Sequence, residues 1–182
     1  METRTAFFYK FLVSPRKIGS ITPSSAYLTR KMLAGVDWQA VNSIVELGAG
    51  TGTFTKYIAA HKRPDCPALI VEQDQEMRRR LALLYPGLRY GSQAEKLPQL
   101  LQEHQLTGVD CLISGLPFAA FPASLRNQIL RCAYEALNPG GQFIAFQYTP
   151  LLYPYLKRQY RQVRLGFEPR NLPPAFVFTC TK

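Results

Sequence analysis

The sequence predicts an α/β fold built on one doubly wound, mostly parallel sheet. The first observation is a set of short apolar runs, at 43–47, 68–72, 88–91, 110–114 and 142–148. Runs that are apolar on both faces are typical of parallel strands buried between two layers of helices. The second observation is that helical patterns separate these runs, at 54–61, 75–85, 94–105 and 122–137. Strands that alternate with helices in this way indicate a parallel sheet with helical crossovers.

A change of pattern near the C-terminus is the third observation. A helical pattern at 153–162 is followed by two strand patterns, 162–168 and 175–181, which "PRNLPP" joins with no helix between them. Because no crossover helix separates them, we expect these two strands to pair antiparallel. The prediction is a seven-stranded sheet of five parallel strands plus a C-terminal antiparallel hairpin, flanked by helices. The 182 residues contain no obvious linker, so 1–182 is predicted to be a single domain.

Composition limits the possible classes of protein. A hydrophobic content of 47% excludes a disordered chain, and no apolar segment is long enough to cross a bilayer. "TAFFYKFLV" near the N-terminus is interrupted by Lys10 and lacks a small-residue cleavage site, so we expect no secretory signal and a cytoplasmic protein. The four cysteines show no CxxC spacing, which predicts buried thiols without disulfides and without a metal site. They are Cys66, Cys111, Cys132 and Cys180.

The net charge of +10 is concentrated at the two ends of the chain. Residues 1–31 carry six basic side chains against one acid, Glu2, and residues 151–182 carry six against one acid, Glu168. The central body, 32–150, holds ten basic and ten acidic residues. This asymmetry predicts that the ends meet an anionic partner, either a nucleic acid or a lipid surface.

A glycine-rich segment, "ELGAGTG", follows the first strand and precedes the first crossover helix. Gly48, Gly50 and Gly52 are spaced two apart, whereas a nicotinamide-binding loop needs GxGxxG and has a glycine where this chain has Thr53. A P-loop needs Gly-Lys-Ser/Thr, and the next lysine here is Lys56. The spacing therefore excludes the P-loop and weakens the nicotinamide interpretation.

Two acids complete the pattern, because Glu46 lies at the end of the first strand and Glu72 closes the second. Together with the glycine loop, they resemble the class I S-adenosylmethionine-dependent methyltransferases, which implies a Rossmann-like fold with S-adenosylmethionine as cofactor and S-adenosylhomocysteine as product. By this resemblance, Glu46 stabilises the cationic amino group, Glu72 accepts from the ribose hydroxyls, and Gln93 stands where an aspartate often lies in the adenine site. The implied cofactor-binding set is Ile21, Glu46, Gly48, Ala49, Gly50, Gly52, Glu72, Gln73, Gln93, Ala94 and Ser114.

The segment "SGLPF", after the fourth strand, bears on the methyl acceptor. Methyltransferases that act on base amino groups carry Asn or Asp, then Pro and an aromatic, at this point, and the aromatic stacks on the flipped base. Gly115 occupies the Asn or Asp position here, while Leu116, Pro117 and Phe118 keep the rest of the outline. The segment resembles the rRNA adenine dimethyltransferases, so an RNA adenine N-methyltransferase is one alternative.

The ends of the chain favour a lipid acceptor. "SPRKIGSITPSSAYLTRKML", 14–33, and "RNLPPAFVFTC", 170–180, resemble the bacterial phospholipid N-methyltransferase family, and the resemblance extends over essentially the whole chain. It implies methylation of phosphatidylethanolamine and its methylated derivatives, towards phosphatidylcholine, at the inner face of the cell membrane. A second alternative is a non-catalytic lipid-binding module on the same fold.

The N-terminal segment supports that interpretation physically. Phe7, Phe8 and Phe11 stand among basic residues, a composition suited to a helix in the headgroup layer of an anionic membrane. Residues 1–35 are therefore predicted to form membrane-contacting and lid helices, and 36–182 the catalytic core. Tyr148 and Tyr27 are the predicted catalytic residues, while water, a Tyr hydroxyl or a backbone carbonyl takes the amine proton. The predicted substrate-binding residues are Arg16, Lys17, Ser20, Thr22, Leu116, Phe118 and Arg170.

Overall fold

The computed structural model describes residues 25–182. The predictions for Arg16, Lys17, Ser20, Ile21 and Thr22, and for the membrane-contacting segment before them, lie outside these residues. The helices are α1 (Ala26–Leu33), α2 (Thr53–His61), α3 (Gln75–Leu84), α4 (Leu97–Glu103), α5 (Ala123–Ala136) and α6 (Tyr153–Gln159). The strands are β1 (Ile44–Leu47), β2 (Ala68–Val71), β3 (Arg89–Gly91), β4 (Val109–Ser114), β5 (Leu137–Gln147), β6 (Gln162–Glu168) and β7 (Ala175–Thr181).

One seven-stranded sheet has the order β3-β2-β1-β4-β5-β7-β6. The first five strands are parallel, and β7 lies antiparallel between β5 and β6. This confirms the predicted five parallel strands and the C-terminal hairpin. The sheet order reverses between β1 and β4, and ligands in open α/β sheets bind at such a point, beyond the carboxyl ends of the strands. We call that side of the sheet the carboxyl edge.

The core lies on both faces of the sheet. Alternate residues of the buried strands point to opposite faces, so Val45 and Leu47 contact one apolar cluster while Ile44 contacts the other. The cluster that contains Ile44 is covered by α1 and α2. The cluster that contains Val45 and Leu47 is covered by α4, α5 and α6. The four cysteines are buried and unpaired, which confirms the prediction of free thiols. No helix within residues 25–182 is long and apolar enough to span a membrane.

Two elements differ most from their predicted bounds. The helix predicted at 94–105 is divided into a 3-10 turn, Ala94–Lys96, and α4, because Pro98 lacks the N–H that an interior helical position requires and so lies in the first turn. The helix α5 ends just before the "NPGG" segment, as predicted. The strand β5 begins at once, at Leu137, and therefore includes this segment, with an irregular register against β4 next to Val109. A Cβ on Gly141 would lie 2.9 Å from the carbonyl oxygens of Asn138 and Val109, so this crowded segment requires glycine.

The described start of the chain is held to the C-terminal hairpin. The Ser25 hydroxyl caps α1 by accepting from Leu28 N at 3.2 Å, and Ser25 N donates to Asn171 Oδ1 at 3.1 Å. Asn171 is buried and its amide also donates to the Pro173 carbonyl at 2.7 Å. These bonds hold the start of α1 at the carboxyl edge, from which the helix runs over one face of the sheet beside β7.

Candidate active site

The glycine turn between β1 and α2 is built from three residues with positive φ, which are Gly48 (75°), Gly50 (55°) and Gly52 (87°). A Cβ on Gly48 would lie 2.8 Å from Leu116 Cδ2, and one on Gly52 would collide with the Leu81 side chain. Both contacts are with the ends of leucine side chains, so the positive φ is the main reason for glycine at these two positions. A Cβ on Gly50 would meet no atom within 4 Å, so the turn presents open space at its centre.

Glu72 fastens this turn to the end of β2. Its Oε2 accepts from Gly50 N at 2.6 Å, and its Oε1 accepts from Asp74 N at 2.8 Å. The Asp74 carboxylate caps α3 through Met77 N at 2.8 Å. The carboxylate predicted to bind ribose hydroxyls is thus half-buried beside the open centre of the turn, while the following residue, Gln73, is exposed. Ala49 is buried within the turn and donates to the Val71 carbonyl at 3.3 Å.

Glu46 is fully buried on the α2 side of β1. Its Oε2 accepts from the Thr55 hydroxyl at 2.7 Å, while Oε1 has no hydrogen-bond partner among the described residues. Burial raises the pKa of Glu46 to about 7; the Thr55 hydrogen bond opposes this shift and the charge of Glu72 adds to it. A buried carboxylate with one unpaired oxygen is suited to a cationic group. Thr55 was not predicted, and its only signal in the sequence is a hydroxyl residue in the first turn of an apolar helix.

The segment after β3 joins the same edge. Glu72 N donates to the Gly91 carbonyl at 3.0 Å, which brings the predicted adenine-site residues next to the predicted ribose-site residue. Gln93 is half-buried and precedes the 3-10 turn, and the Ala94 side chain is buried in the core. Any contact from Ala94 to a ligand would therefore come from its backbone.

The "SGLPF" loop packs directly on the glycine turn. A Cβ on Gly115 would lie 2.8 Å from the Gly48 carbonyl oxygen, so this position has no room for the Asn or Asp of base methyltransferases. Ser114 is fully buried, and its hydroxyl accepts from Leu116 N at 3.3 Å. The Ser114 side chain therefore shapes the loop, and the cofactor contact expected of Ser114 stays a prediction.

Phe118 is also buried. It is 1% exposed, and its ring packs against Phe121 and Phe143 at centroid distances of 6.2 and 6.4 Å. The ring is part of the core, so these contacts do not support the predicted substrate-binding role, which stays a prediction. An aromatic residue in a functional motif and one in a core have the same signature in a single sequence.

Gln147, which was not predicted, holds the loop in place. It is buried at the end of β5, where its Nε2 donates to the Leu116 carbonyl at 2.9 Å and its Oε1 accepts from Ala119 N at 3.4 Å. A glutamine inside an otherwise apolar strand, "QFIAFQ", is the signal that was available. Gln147 therefore determines where Leu116 contacts the glycine turn.

The two predicted catalytic tyrosines both lie at the carboxyl edge. Tyr148 directly follows β5, and its ring packs edge-on against Phe146 at 5.7 Å. Burial raises the pKa of Tyr148, so its hydroxyl stays protonated at neutral pH. Tyr27 is half-exposed at the start of α1, and the Arg170 guanidinium lies 4.2 Å from its ring centroid. Arg170 also pairs with buried Glu168 at 2.9 Å and lowers the pKa of that carboxyl by hydrogen bonding.

Within residues 25–182, no group of three or more His, Cys, Asp or Glu side chains is placed to hold a metal ion. The described site consists of a glycine turn, two acids with different environments, the adjoining "SGLPF" loop, and Tyr148 at the end of β5.

No family model matches the chain. A curated relative, the ornithine lipid N-methyltransferase of Singulisphaera acidiphila, is 35% identical over 179 residues, which are 96% of this chain and 93% of the relative. Several solved structures share the fold. The N-methyltransferase NodS of Bradyrhizobium japonicum WM9, in complex with S-adenosylhomocysteine, has a TM-score of 0.67 at 12% identity and covers 84% of this chain and 82% of its own. The precorrin-6y C5,15-methyltransferase of Geobacter metallireducens has a TM-score of 0.69 at 12% identity, with 90% and 93% covered.

Proposed function

Because the chain belongs to the lipid N-methyltransferase family that includes the Singulisphaera enzyme, we propose that it transfers a methyl group from S-adenosylmethionine to the amine of a lipid headgroup. Its cofactor is S-adenosylmethionine, which supplies an electrophilic methyl group on a sulfonium. The observation that supports the donor half of the reaction is the Oε1 atom of Glu46, which has no hydrogen-bond partner within residues 25–182 and is buried beside a glycine turn with an open centre.

The donor-binding residues follow from the site. The Glu46 carboxylate is proposed to offset the cationic amino group, whose charge would repay the cost of keeping a carboxylate buried. Glu72 is proposed to accept from the ribose hydroxyls, since each of its oxygens receives only one backbone N–H and keeps a further lone pair. Gln93 and the Ala94 backbone are proposed for the adenine, and Ile21 for the wall of the same pocket.

The first acceptor we propose is an ornithine lipid, because the curated relative acts on one. Ornithine is an amino acid whose side chain ends in a primary amine. The second candidate is phosphatidylethanolamine, which the terminal motifs favour and whose phosphate matches the basic residues Arg16 and Lys17. Both headgroups present an aliphatic ammonium, which has no lone pair until it loses a proton.

The acceptor amine is proposed to lie between the "SGLPF" loop and Tyr148. Leu116 is proposed to hold the headgroup against the glycine turn, while the Tyr148 hydroxyl or a backbone carbonyl accepts a hydrogen bond from the amine. Positioning of the two reactants and exclusion of water would supply much of the rate. Tyr27 and Arg170 are proposed to contact the headgroup from α1 and the hairpin, and Ser20 and Thr22 from the segment before α1.

An RNA base is disfavoured as acceptor by one contact. The Gly48 carbonyl would lie 2.8 Å from a Cβ on Gly115, so the side chain that orients a base amine has no space in this loop. Peripheral association with an anionic membrane, through the basic and aromatic residues of 1–24, is the arrangement we propose for reaching a lipid.

The test is a methyl-transfer assay with labelled S-adenosylmethionine and three separate acceptors: vesicles containing ornithine lipid, vesicles containing phosphatidylethanolamine, and total RNA. We expect label in at least one lipid and none in RNA, and the Glu46→Gln variant serves as a control for donor binding. Label in RNA alone, or in no lipid, would overturn the proposal. The ratio between the two lipids decides which headgroup the enzyme prefers.

A further inference from the structure

Exposed apolar side chains are distributed unevenly over the described residues. Seven large hydrophobic side chains are exposed among residues 25–182, and two of them, Leu83 and Leu84, lie at the end of α3. The other five belong to α1 or to the last 32 residues of the chain. They are Tyr27, Leu151, Leu165, Phe167 and Leu172.

The topology brings four of these five to the carboxyl edge. Leu151 follows the carboxyl end of β5, and Leu172 lies in the turn between β6 and β7. Each of these two leucines is 78% exposed. Phe167 is next to the last residue of β6 and packs on Phe176, which pairs with the end of β5. Tyr27 joins them through Arg170. We call Tyr27, Leu151, Phe167 and Leu172 the hydrophobic rim.

Positive charge accompanies the hydrophobic rim. Residues 151–182 carry six basic side chains and a single acid, Glu168, which is 2% exposed and already paired with Arg170. The Arg170 side chain is 63% exposed at this edge, and Arg30 and Lys31 are exposed on α1, whose start is bonded to the hairpin there. Lys157 and Arg158 are exposed in the last turn of α6, which leads towards the opposite edge, where β6 begins. Arg170 is therefore the exposed cation of this segment that lies beside the rim, and the one acid of the segment is not accessible.

We propose that the hydrophobic rim inserts into the headgroup layer of an anionic lipid bilayer and so holds the site at the membrane surface. The inference rests on the proposed lipid acceptor, and it adds to that proposal a second membrane contact, formed by the C-terminal hairpin. Leucines that are almost fully exposed on short loops gain by entering the interface, while neighbouring Lys and Arg pair with anionic lipids. The same surface would bring a headgroup amine to the edge where the glycine turn lies.

The chain offers a matched control. The variant Leu151→Ser/Leu172→Ser removes two exposed leucines from the rim, and Leu83→Ser/Leu84→Ser removes two exposed leucines from the opposite edge of the sheet, where α3 ends. Neither pair belongs to the proposed donor or acceptor site. Full-length parent and both variants are sedimented with phosphatidylcholine vesicles that contain or lack phosphatidylglycerol, after thermal unfolding has verified that each is folded.

We expect the parent to bind the phosphatidylglycerol vesicles, the rim variant to bind them at least about tenfold more weakly, and the control variant to stay within about twofold of the parent. Binding of the rim variant equal to that of the parent overturns the proposal. So does an equal loss in the control variant, or a parent that binds no vesicles.

Methyl transfer separates this inference from the proposed function. With a short-chain, water-soluble lipid amine as acceptor, the rim variant should keep the parent's activity, whereas its activity on vesicle-embedded lipid should fall with binding. If the parent methylates no lipid but the rim variant still loses vesicle binding, the proposed function fails and the membrane surface stands.

Discussion

Replacement of Glu46 by Gln is expected to stabilise the ligand-free protein at pH 8 and to change its stability much less at pH 5. Glu46 is fully buried, and burial raises its pKa from 4.5 to about 7. At pH 8 the folded protein therefore contains a desolvated carboxylate whose Oε1 has no partner among the described residues. The amide of Gln has the shape of the protonated carboxyl and keeps an acceptor for the Thr55 hydroxyl, without the charge.

The sign and size of this effect follow from proton linkage. Between pH 4.5 and about 7 the folded protein keeps the Glu46 proton and the unfolded chain loses it, so the parent loses stability as the pH rises through this window. The window corresponds to about 3 kcal/mol, since each tenfold difference in proton affinity is worth about 1.4 kcal/mol. For a domain of this size, about 3 kcal/mol raises the melting temperature by about 6–12 °C.

The measurement is thermal unfolding of parent and variant at pH 5, 6, 7 and 8, with and without S-adenosylhomocysteine. At pH 8 and without ligand, the variant should have a higher melting temperature than the parent. S-adenosylhomocysteine should raise the melting temperature of the variant by less than that of the parent, because the charge opposite the amino group is gone. Glu72→Gln is the control: it loses one acceptor for a backbone N–H and should lower stability by about 1 kcal/mol at pH 8. A Glu46→Gln protein no more stable than the parent at pH 8, or one whose advantage persists undiminished at pH 5, would refute the reasoning.

Three further predictions concern the loops around the site. Gly115→Asn should abolish binding of S-adenosylhomocysteine in calorimetry and create no RNA methylation, because its Cβ would displace the Gly48 carbonyl; tight binding would contradict this. Asn171→Ala should lower the free energy of unfolding by about 2 kcal/mol in urea titrations, since two partly buried hydrogen bonds of a buried side chain are lost, while Asn127→Ala, at an exposed position, should change it by less than about 0.5 kcal/mol. Gln147→Ala should lower kcat/KM for the lipid about tenfold and leave S-adenosylhomocysteine affinity within about twofold; equal losses in both would assign Gln147 a general structural role.

The sequence predicted the sheet well because its strands are buried on both faces. In a run such as "ALIV" the residues on both faces of the strand are apolar. Such a run can be predicted to be a buried parallel strand without knowing which strands lie beside it. The glycine turn was also readable, because three positive φ values require glycine at fixed spacing. The sequence is less informative where a role depends on contacts distant in sequence. Phe118 stacks in the core and Gln147 holds a loop 31 residues away, and neither fact is encoded in local pattern.

The described parts of the two basic ends lie together, which bears on the choice between a lipid and a nucleic acid. Ser25 and Asn171 are 146 residues apart in sequence and hydrogen-bonded, and α1 packs on β6 and β7. The balanced central body supplies the glycine turn and both acids of the proposed donor site, so the charge divides along the sheet, with the excess on the β5-β7-β6 side. Nucleic acid offers phosphates and bases to such a surface but little that receives aliphatic side chains. The exposed Leu151 and Leu172, at the same edge as the exposed Arg170, therefore favour a bilayer, whose acyl chains and anionic headgroups match both kinds of side chain.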